Sequence, residues 1–416
     1  MASTLIDLVD KKLAGSKVNG ANNQATFDVM YPTGFLHIDY ANGTTIFVEG
    51  NGKSFSYNAT GIVDGSTNTI IGRSGSGKST LMFQIAGHLA KQHPKAVIYC
   101  DDIEGSLPEA RKLFLVGMTE EEWKDRVRYR NEGITTENVY ERIRSIYDTK
   151  TQNRKDFMYD TGMFDIVGNK IRKFIPTIYL IDSIAMLLPE SIEDDDSLGT
   201  NMSGGQIAKQ NSMLMKKISQ LCKSVNIIMI SINHITKNIQ TGYIPKQSQV
   251  AGLDTDERLP GGGTAIYLAN NIFRVDDGAK LTADKDYGID GSIVKFTIIK
   301  SRTNASRRTI PLIFNKTEGY FDPLLSYFHM LNSEGLVSGA GQRMYFEGAE
   351  DITFSKRNFK QVFADNPKLQ EVFADVLFNH LSKFLSVTKS VSKQNNAALD
   401  NLNNIFAQRS NSNFAA

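Results

Sequence analysis

The stretch TIIGRSGSGKSTLMFQIAGHLA, residues 69–90, decides the fold. Within it, Gly72, Gly77, Lys78 and Ser79 complete the pattern G-x-x-x-x-G-K-[ST]. An apolar run precedes the pattern, as a strand does, and apolar residues at four-residue helical spacing follow it. The segment is therefore predicted to be a strand, a glycine-rich loop and a helix.

The glycine-rich loop, residues 72–80 and called the phosphate loop from here on, predicts a nucleotide site. Its glycines let backbone N–H groups surround phosphate oxygens at a helix N-terminus. Lys78 is predicted to reach the terminal phosphates of ATP, and Ser79 to bind Mg²⁺. The predicted nucleotide ligands are the loop residues Gly72, Arg73, Ser74, Gly75, Ser76, Gly77, Lys78, Ser79 and Thr80.

Length and composition place this loop in a large protein. A chain of 416 residues can bury a full α/β core and a smaller second unit. Because the net charge is only +2, a surface that binds nucleic acid must be a local patch of basic residues and not the whole protein surface. Cys100 and Cys222 lie in apolar runs, which predicts reduced core residues and no metal site. The N-terminus lacks a signal-peptide pattern, and no apolar run approaches the ~20 residues of a membrane span, so a cytoplasmic protein is expected.

Strand-like apolar runs recur along the chain and alternate with helical patterns. They lie at residues 96–100, 177–181, 226–232, 271–275, 294–299 and 310–314. Such alternation predicts an α/β fold with a mostly parallel twisted sheet flanked by helices. We divide the chain into an N-terminal helix and linker (1–30), a core (31–337) and a helical C-terminal region (338–416) whose tail is predicted to be disordered.

Polar residues follow three of these runs. Asp182 ends one run and is predicted to support Mg²⁺ beside the phosphate loop. Glu104 follows another and is the candidate that polarises the attacking water, with Asp101 and Asp102 as alternative candidates. The non-functional explanation of these three residues is a solvated acidic loop. His234 ends the third, where it is either a γ-phosphate sensor or an ordinary satisfied histidine.

Two segments without regular apolar periodicity, about 189–205 and 234–263, are predicted to be functional loops. Between them, Lys209 and Lys216 are seven residues apart on one helix face, either as a solvated face or as a track for a phosphate backbone. The remaining candidate DNA-binding residues lie in the second loop: Lys237, Lys246, Gly262 and Gly263.

One more motif is IIKSRTNASRR, residues 298–308. Lys300 and Arg302 are two residues apart at a predicted strand end, and residues so spaced on a strand share a face. The simplest explanation is an edge strand whose charges discourage pairing with other chains. The alternative is a functional pair of cations.

From about Asn68 to Asp322 the sequence resembles the RecA recombinases, and within them the phage UvsX-like branch. The resemblance rests on the order of GRSGSGKST, D-x-E, LIDS, SINH, GGGTA and KSRT. It implies a RecA-like P-loop core that binds ATP and Mg²⁺, with Glu104 activating water and His234 sensing the γ-phosphate. It also implies that Lys300 and Arg302 reach the ATP of a neighbouring subunit.

The resemblance further implies a recombinase that forms helical filaments on single-stranded DNA and pairs it with double-stranded DNA. It suggests single-strand-binding and loader proteins as partners, and the cytoplasm of an infected bacterium as the location. His234 departs from the glutamine usual in bacterial members, and no acidic C-terminal tail is present. The alternatives are a RecA-fold replicative helicase, which would share the nucleotide site, and a non-catalytic recombination mediator.

Overall fold

The structure, a computed structural model, describes residues 29–105, 107–193, 204–237, 253–254, 256–260 and 268–388. The N-terminal segment and the C-terminal tail lie outside these ranges. The helices are α1 (Leu36–Asn42), α2 (Lys78–Lys91), α3 (Glu109–Val116), α4 (Glu120–Arg126), α5 (Thr136–Gln152), α6 (Arg154–Phe157), α7 (Glu190–Glu193), α8 (Gly204–Val225), α9 (Pro323–Ser333), α10 (Phe359–Asp365) and α11 (Pro367–Ser382).

The strands belong to one large sheet and four small ones. In chain order they are β1 (Met30–Tyr31), β2 (Thr44–Gly50), β3 (Lys53–Ala59), β4 (Ile62–Val63), β5 (Thr67–Gly72), β6 (Val97–Asp102), β7 (Val127–Arg130), β8 (Met158–Phe164), β9 (Lys170–Phe174), β10 (Thr177–Asp182), β11 (Ile227–His234), β12 (Thr236–Lys237), β13 (Glu257–Arg258), β14 (Asn271–Asp276), β15 (Lys280–Leu281), β16 (Gly291–Lys300), β17 (Arg308–Asn315), β18 (Tyr320–Asp322) and β19 (Ser386–Thr388).

The large sheet runs in the order β18-β17-β16-β14-β5-β11-β10-β6-β7, with β15 paired to β16. The strands from β14 to β7 pair in parallel, whereas β14–β16, β16–β17 and β17–β18 are antiparallel. The protein is thus a mixed α/β protein, and the prediction of a mostly parallel sheet holds for one half only. Short connections without helices after β14 explain the antiparallel half, because antiparallel neighbours need no crossover helix.

Helices cover both faces of the parallel half. Alternate residues of β10 enter two different cores: Ile178 and Leu180 pack with α2, α3 and α4, while Tyr179 and Ile181 pack with α5 and α8. This two-sided burial explains why the strand sequence is a continuous apolar run rather than an alternating one. All six strands predicted from apolar runs are present, and a capping box of Thr119 and Glu122 starts α4.

The phosphate loop joins β5 to α2. β5 is buried throughout, and α2 begins at Lys78 immediately after Gly77, whose φ is +88°. That left-handed conformation favours glycine, and a Cβ at this position would lie 2.8 Å from the Phe321 ring. Both reasons require glycine at the start of the helix.

The described part of the C-terminal region packs on the sheet. Its aromatic residues share one core with α9 and with Ile313 of β17, and the rings of Phe328 and Phe359 stack with centroids 4.0 Å apart. Strand β19 then pairs in parallel with β2. Two distant parts of the chain therefore meet beside the N-terminal small sheet.

Candidate nucleotide site

The phosphate loop folds around its own lysine. Lys78 is 5% exposed, and its Nζ donates a hydrogen bond of 2.7 Å to the Arg73 carbonyl oxygen. Burial lowers the pKa of Lys78, while the nearby carboxylates of Asp182, Glu104 and Asp277 oppose that change. Ser76 Oγ is buried and has no hydrogen-bond partner among the described residues. A buried cation and an unpaired hydroxyl suit a loop that receives phosphate oxygens.

Asp182 and Ser79 form the pair expected at a magnesium nucleotide. Ser79 Oγ donates a hydrogen bond of 2.6 Å to Asp182 Oδ2, so the end of β10 meets the first turn of α2. Asp182 Oδ1 is buried with no partner in the part of the chain that the structure describes. Burial raises the pKa of Asp182 to about 6. An unpaired buried carboxylate oxygen is an atom that a cation would satisfy.

This donor set fits Mg²⁺ in the way typical of nucleotide sites. Within the described ranges no three His, Cys, Asp or Glu side chains are arranged to hold a metal ion. Mg²⁺ at such sites commonly takes one or two protein ligands and completes its shell with phosphates and water. Ser79 and Asp182 would therefore be enough protein ligands for Mg²⁺ at such a site.

Glu104 lies at the centre of the carboxyl edge of the sheet. Its Oε1 accepts a hydrogen bond of 2.6 Å from Ser183 Oγ and lies 2.6 Å from His234 Nε2. Burial acts to raise the pKa of Glu104, but the bonds from Ser183 and His234 outweigh it and the pKa is lowered. The backbone N–H groups of Ile103 and Glu104 both donate to the Asp182 carbonyl oxygen, which holds the start of the loop after β6 beside Asp182.

The two alternative aspartates have other partners. Asp101 accepts from Arg130, Arg142 and Tyr179. Asp102 pairs with Lys112 at 2.8 Å and also accepts the N–H of Gly105. Both aspartates are at most 1% exposed. They hold structural ion pairs, so Glu104 is the one acidic residue of the three whose geometry suits a water beside the phosphate loop.

His234 connects this site to the second predicted loop. Its backbone N–H donates to Asn233 Oδ1, and Asn233 Nδ2 donates to the Pro260 carbonyl oxygen at 2.9 Å. Strand β12 follows and pairs in antiparallel with β13, with Thr236 opposite Arg258. The ends of this loop therefore stand next to the residue that contacts Glu104.

No sequence pattern indicated a second polar group beside the phosphate loop. Glu257 of β13 is 1% exposed and accepts two hydrogen bonds from Arg274, at 2.7 and 3.1 Å. Arg73 of the phosphate loop lies 3.6 Å from the same carboxylate. Ser183, which binds Glu104, also had no predicted role. These partners are distant in sequence and follow no spacing rule, so only the fold brings them together.

The phosphate loop follows the carboxyl end of β5. Lys300 and Arg302 lie towards the other end of the same strands. Lys300 ends β16 and is level with Ile272, which is level with Thr69 of β5. From the usual strand rise and spacing, the Lys300 backbone is roughly 14 Å from Gly72. Arg302 continues away from it. The pKa of Lys300 is lowered by burial and by Arg302, which places the two cations near each other.

Two predictions about this motif need correction. Arg302 follows the end of β16 and lies in a turn, so the two cations do not share a strand face. The edge-strand explanation is also wrong, because β16 is hydrogen-bonded to β14 and β17 on its two sides.

Three of the predicted DNA-binding lysines lie in described elements. Lys209 and Lys216 are exposed on α8. Lys237 forms an ion pair of 3.3 Å with Asp256. Lys246, Gly262 and Gly263 lie outside the described residues, as do most of the two predicted loops. Their roles stay predictions.

Comparison with known proteins gave no relative: no protein-family model matches the chain, and no curated sequence matches it. None of the described helices combines the length and apolar character needed to cross a membrane.

Proposed function

We propose that this protein is a RecA-like recombinase that binds ATP, polymerises on single-stranded DNA and pairs it with homologous double-stranded DNA. The observation that carries the proposal is the contact of Glu104 with His234, beside the Ser79–Asp182 pair. The contact connects Glu104, which is suited to activating water, with His234, which starts the loop predicted to bind DNA. We place its action in the cytoplasm of an infected bacterium, together with single-strand-binding and loader proteins.

The residues divide the work of hydrolysis among themselves. Lys78 binds the terminal phosphates, because its ammonium is already held over the loop by its hydrogen bond to the Arg73 carbonyl oxygen. Mg²⁺, held by Ser79 and by Asp182, would neutralise charge on the phosphate oxygens. Glu104, kept ionised by its hydrogen-bond donors, orients water and accepts its proton.

Loss of the γ-phosphate is transmitted to the second predicted loop through His234. His234 shares the Oε1 atom of Glu104 with Ser183, so a change in the charge near Glu104 alters the hydrogen bond of His234. His234 leads directly into β12, whose partner β13 closes the second loop. ATP would favour one arrangement of this loop and its hydrolysis another.

The position of Lys300 and Arg302 favours a site completed by a second subunit. Their turn leaves the sheet at the edge away from their own phosphate loop. Cations there serve the nucleotide of another copy in a head-to-tail array, which forms a helical filament if the array does not close.

Three assays on purified full-length protein test the proposal: ATP hydrolysis with and without single-stranded DNA, formation of joint molecules with homologous duplex, and unwinding of a forked duplex. We expect DNA-stimulated hydrolysis and homology-dependent joint molecules, both lost in Lys78→Ala. ATP-driven unwinding without joint molecules would identify a helicase instead. Binding of ATP and DNA without hydrolysis would identify a mediator.

A further inference from the structure

Three distant segments of the chain meet at the turn that carries Arg302. The end of α1 contributes Asn42, the turn contributes residues 301–304, and the segment after α11 contributes residues 384–386. Ser301 Oγ donates to Asn42 Oδ1 at 2.6 Å, and Thr303 Oγ1 donates to the Asn42 carbonyl oxygen at 2.6 Å. Asn42 is 1% exposed and is itself fixed by donating to the Gly61 carbonyl oxygen at 2.7 Å. The turn is therefore attached to a rigid, buried side chain.

Asn304 is the central residue of this attachment. Its Nδ2 donates to the carbonyl oxygens of Gly43, at 2.8 Å, and Phe384, at 2.7 Å. Its Oδ1 accepts the N–H of Ala305 at 2.6 Å. One amide side chain thus joins the turn to the end of α1 and to the C-terminal segment, because its NH₂ group supplies two donors for the two carbonyls while its oxygen accepts from Ala305.

The C-terminal segment adds to the same contact. Ser386 Oγ donates to the Thr303 carbonyl oxygen at 3.0 Å, and Arg308 lies over the Phe384 ring, 4.1 Å from its centroid. The turn between β16 and β17 is consequently held from both sides. A polar turn without such bonds would sample many conformations, and Arg302 would move with it relative to Lys300 at the end of β16.

We propose that Asn304, supported by Asn42, is a positioning residue that holds the turn carrying Arg302 in the conformation needed at the ATP site of the neighbouring subunit, beside Lys300 at the end of β16. This inference rests on the proposed function. Asn304 acts through the turn, by keeping Arg302 in a fixed place relative to Lys300, which β16 already holds. Displacement of such groups by about 1 Å costs up to ~10²-fold in rate.

The experiment compares wild type with Asn304→Ala, with the double variant Lys300→Ala, Arg302→Ala, and with the control Ala305→Ser, which changes an exposed neighbour in the same turn. In Asn304→Ala we expect DNA-stimulated kcat to fall by about 10- to 100-fold. KM for ATP should change little, because the variant's own phosphate loop is intact. Ala305→Ser should match wild type.

Mixing subunits distinguishes a positioning defect from a general structural one. Asn304→Ala should regain hydrolysis when mixed with Lys78→Ala, which supplies intact cations, and should gain none when mixed with the Lys300→Ala, Arg302→Ala variant. Hydrogen exchange should quicken at residues 301–305 and stay unchanged in β5. Failure to recover with Lys78→Ala would overturn the inference, since the defect would then lie outside cation donation.

The remaining outcomes separate this inference from the proposed function. Absence of DNA-stimulated hydrolysis in wild type would remove the proposed function and the inference together. If wild type is active and the cation variant is inactive, a normal rate in Asn304→Ala would overturn the inference alone. Normal hydrolysis in the cation variant would remove the role that Asn304 is proposed to support, while leaving the ATPase assignment intact.

Discussion

Glu104 Oε1 lies 2.6 Å from His234 Nε2. Glu104 follows β6 and His234 ends β11, and β10 separates these two strands in the sheet, so the two side chains meet across the end of the strand that carries Asp182. Parallel strands bring their carboxyl ends to one edge, and loops at that edge are where ligands bind in open α/β sheets. The contact joins the proposed hydrolytic residue to the proposed DNA loop.

Glu104→Gln should bind ATP and DNA with affinities near wild type but hydrolyse ATP about 10²- to 10⁴-fold more slowly, because only proton transfer from water is lost. Steady-state hydrolysis and nucleotide binding, measured on the same preparation, check this. The exposed Glu120→Gln is the matched control. If Glu104→Gln fails to bind ATP, the residue supports nucleotide binding rather than water activation.

Asp182→Asn should weaken the Mg²⁺-dependent part of ATP affinity by roughly 10- to 100-fold, because it removes a charged group next to the metal and Ser79. ATP binding is measured with Mg²⁺ and again with excess EDTA. The difference between the two conditions should shrink in this variant and persist in the exposed control Asp125→Asn. An equal Mg²⁺ effect in both variants would contradict the assignment of Asp182.

The local pattern around residues 69–90 was enough to predict β5, the loop and α2, because one continuous segment carries all three. The strand runs were also predictable, since burial on both faces leaves continuous apolar sequence. The antiparallel half was not predicted, because an apolar run does not reveal the direction of its neighbour. Local pattern also failed to show that Asp101 and Asp102 are paired, since their partners Arg142 and Lys112 come from other elements.

Replacing Lys209 and Lys216 with Ala should weaken single-stranded DNA binding for all sequences. The plot of log K against log salt should become shallower by about 0.7 per lost phosphate contact. Fluorescence anisotropy at several salt concentrations measures this slope. The control replaces Lys124 and Lys285, which are exposed elsewhere. An unchanged slope would mean that Lys209 and Lys216 belong to a solvated helix face and do not contact DNA phosphates.

Lys150 should make stability depend on pH. Its Nζ donates to the carbonyl oxygens of Ile175 and Val225, and burial lowers its pKa to about 7. Between pH 7 and 9 the unfolded chain binds the lysine proton and the folded chain largely does not, so this residue makes stability rise with pH, by about 1 kcal/mol per unit. Urea unfolding of wild type and Lys150→Met across this range should show the difference. A constant difference between the two proteins would mean that Lys150 is charged when folded.

The central claim is that an ATP site takes its phosphate loop from one subunit and Lys300 and Arg302 from the next. Lys78→Ala lacks a working loop but keeps the cations, whereas Lys300→Ala, Arg302→Ala keeps the loop. Each should be inactive alone, since cations supplied across an interface are worth ~10³ or more in rate.

The most direct measurement is DNA-stimulated ATP hydrolysis by an equal mixture of these two variants. Random assembly places an intact loop beside intact cations at about a quarter of the interfaces. We therefore expect hydrolysis well above either variant alone, rising and then falling as the mixing ratio is varied. Mixed filaments that form, as seen by energy transfer between labelled subunits, but show no recovery would contradict the shared site.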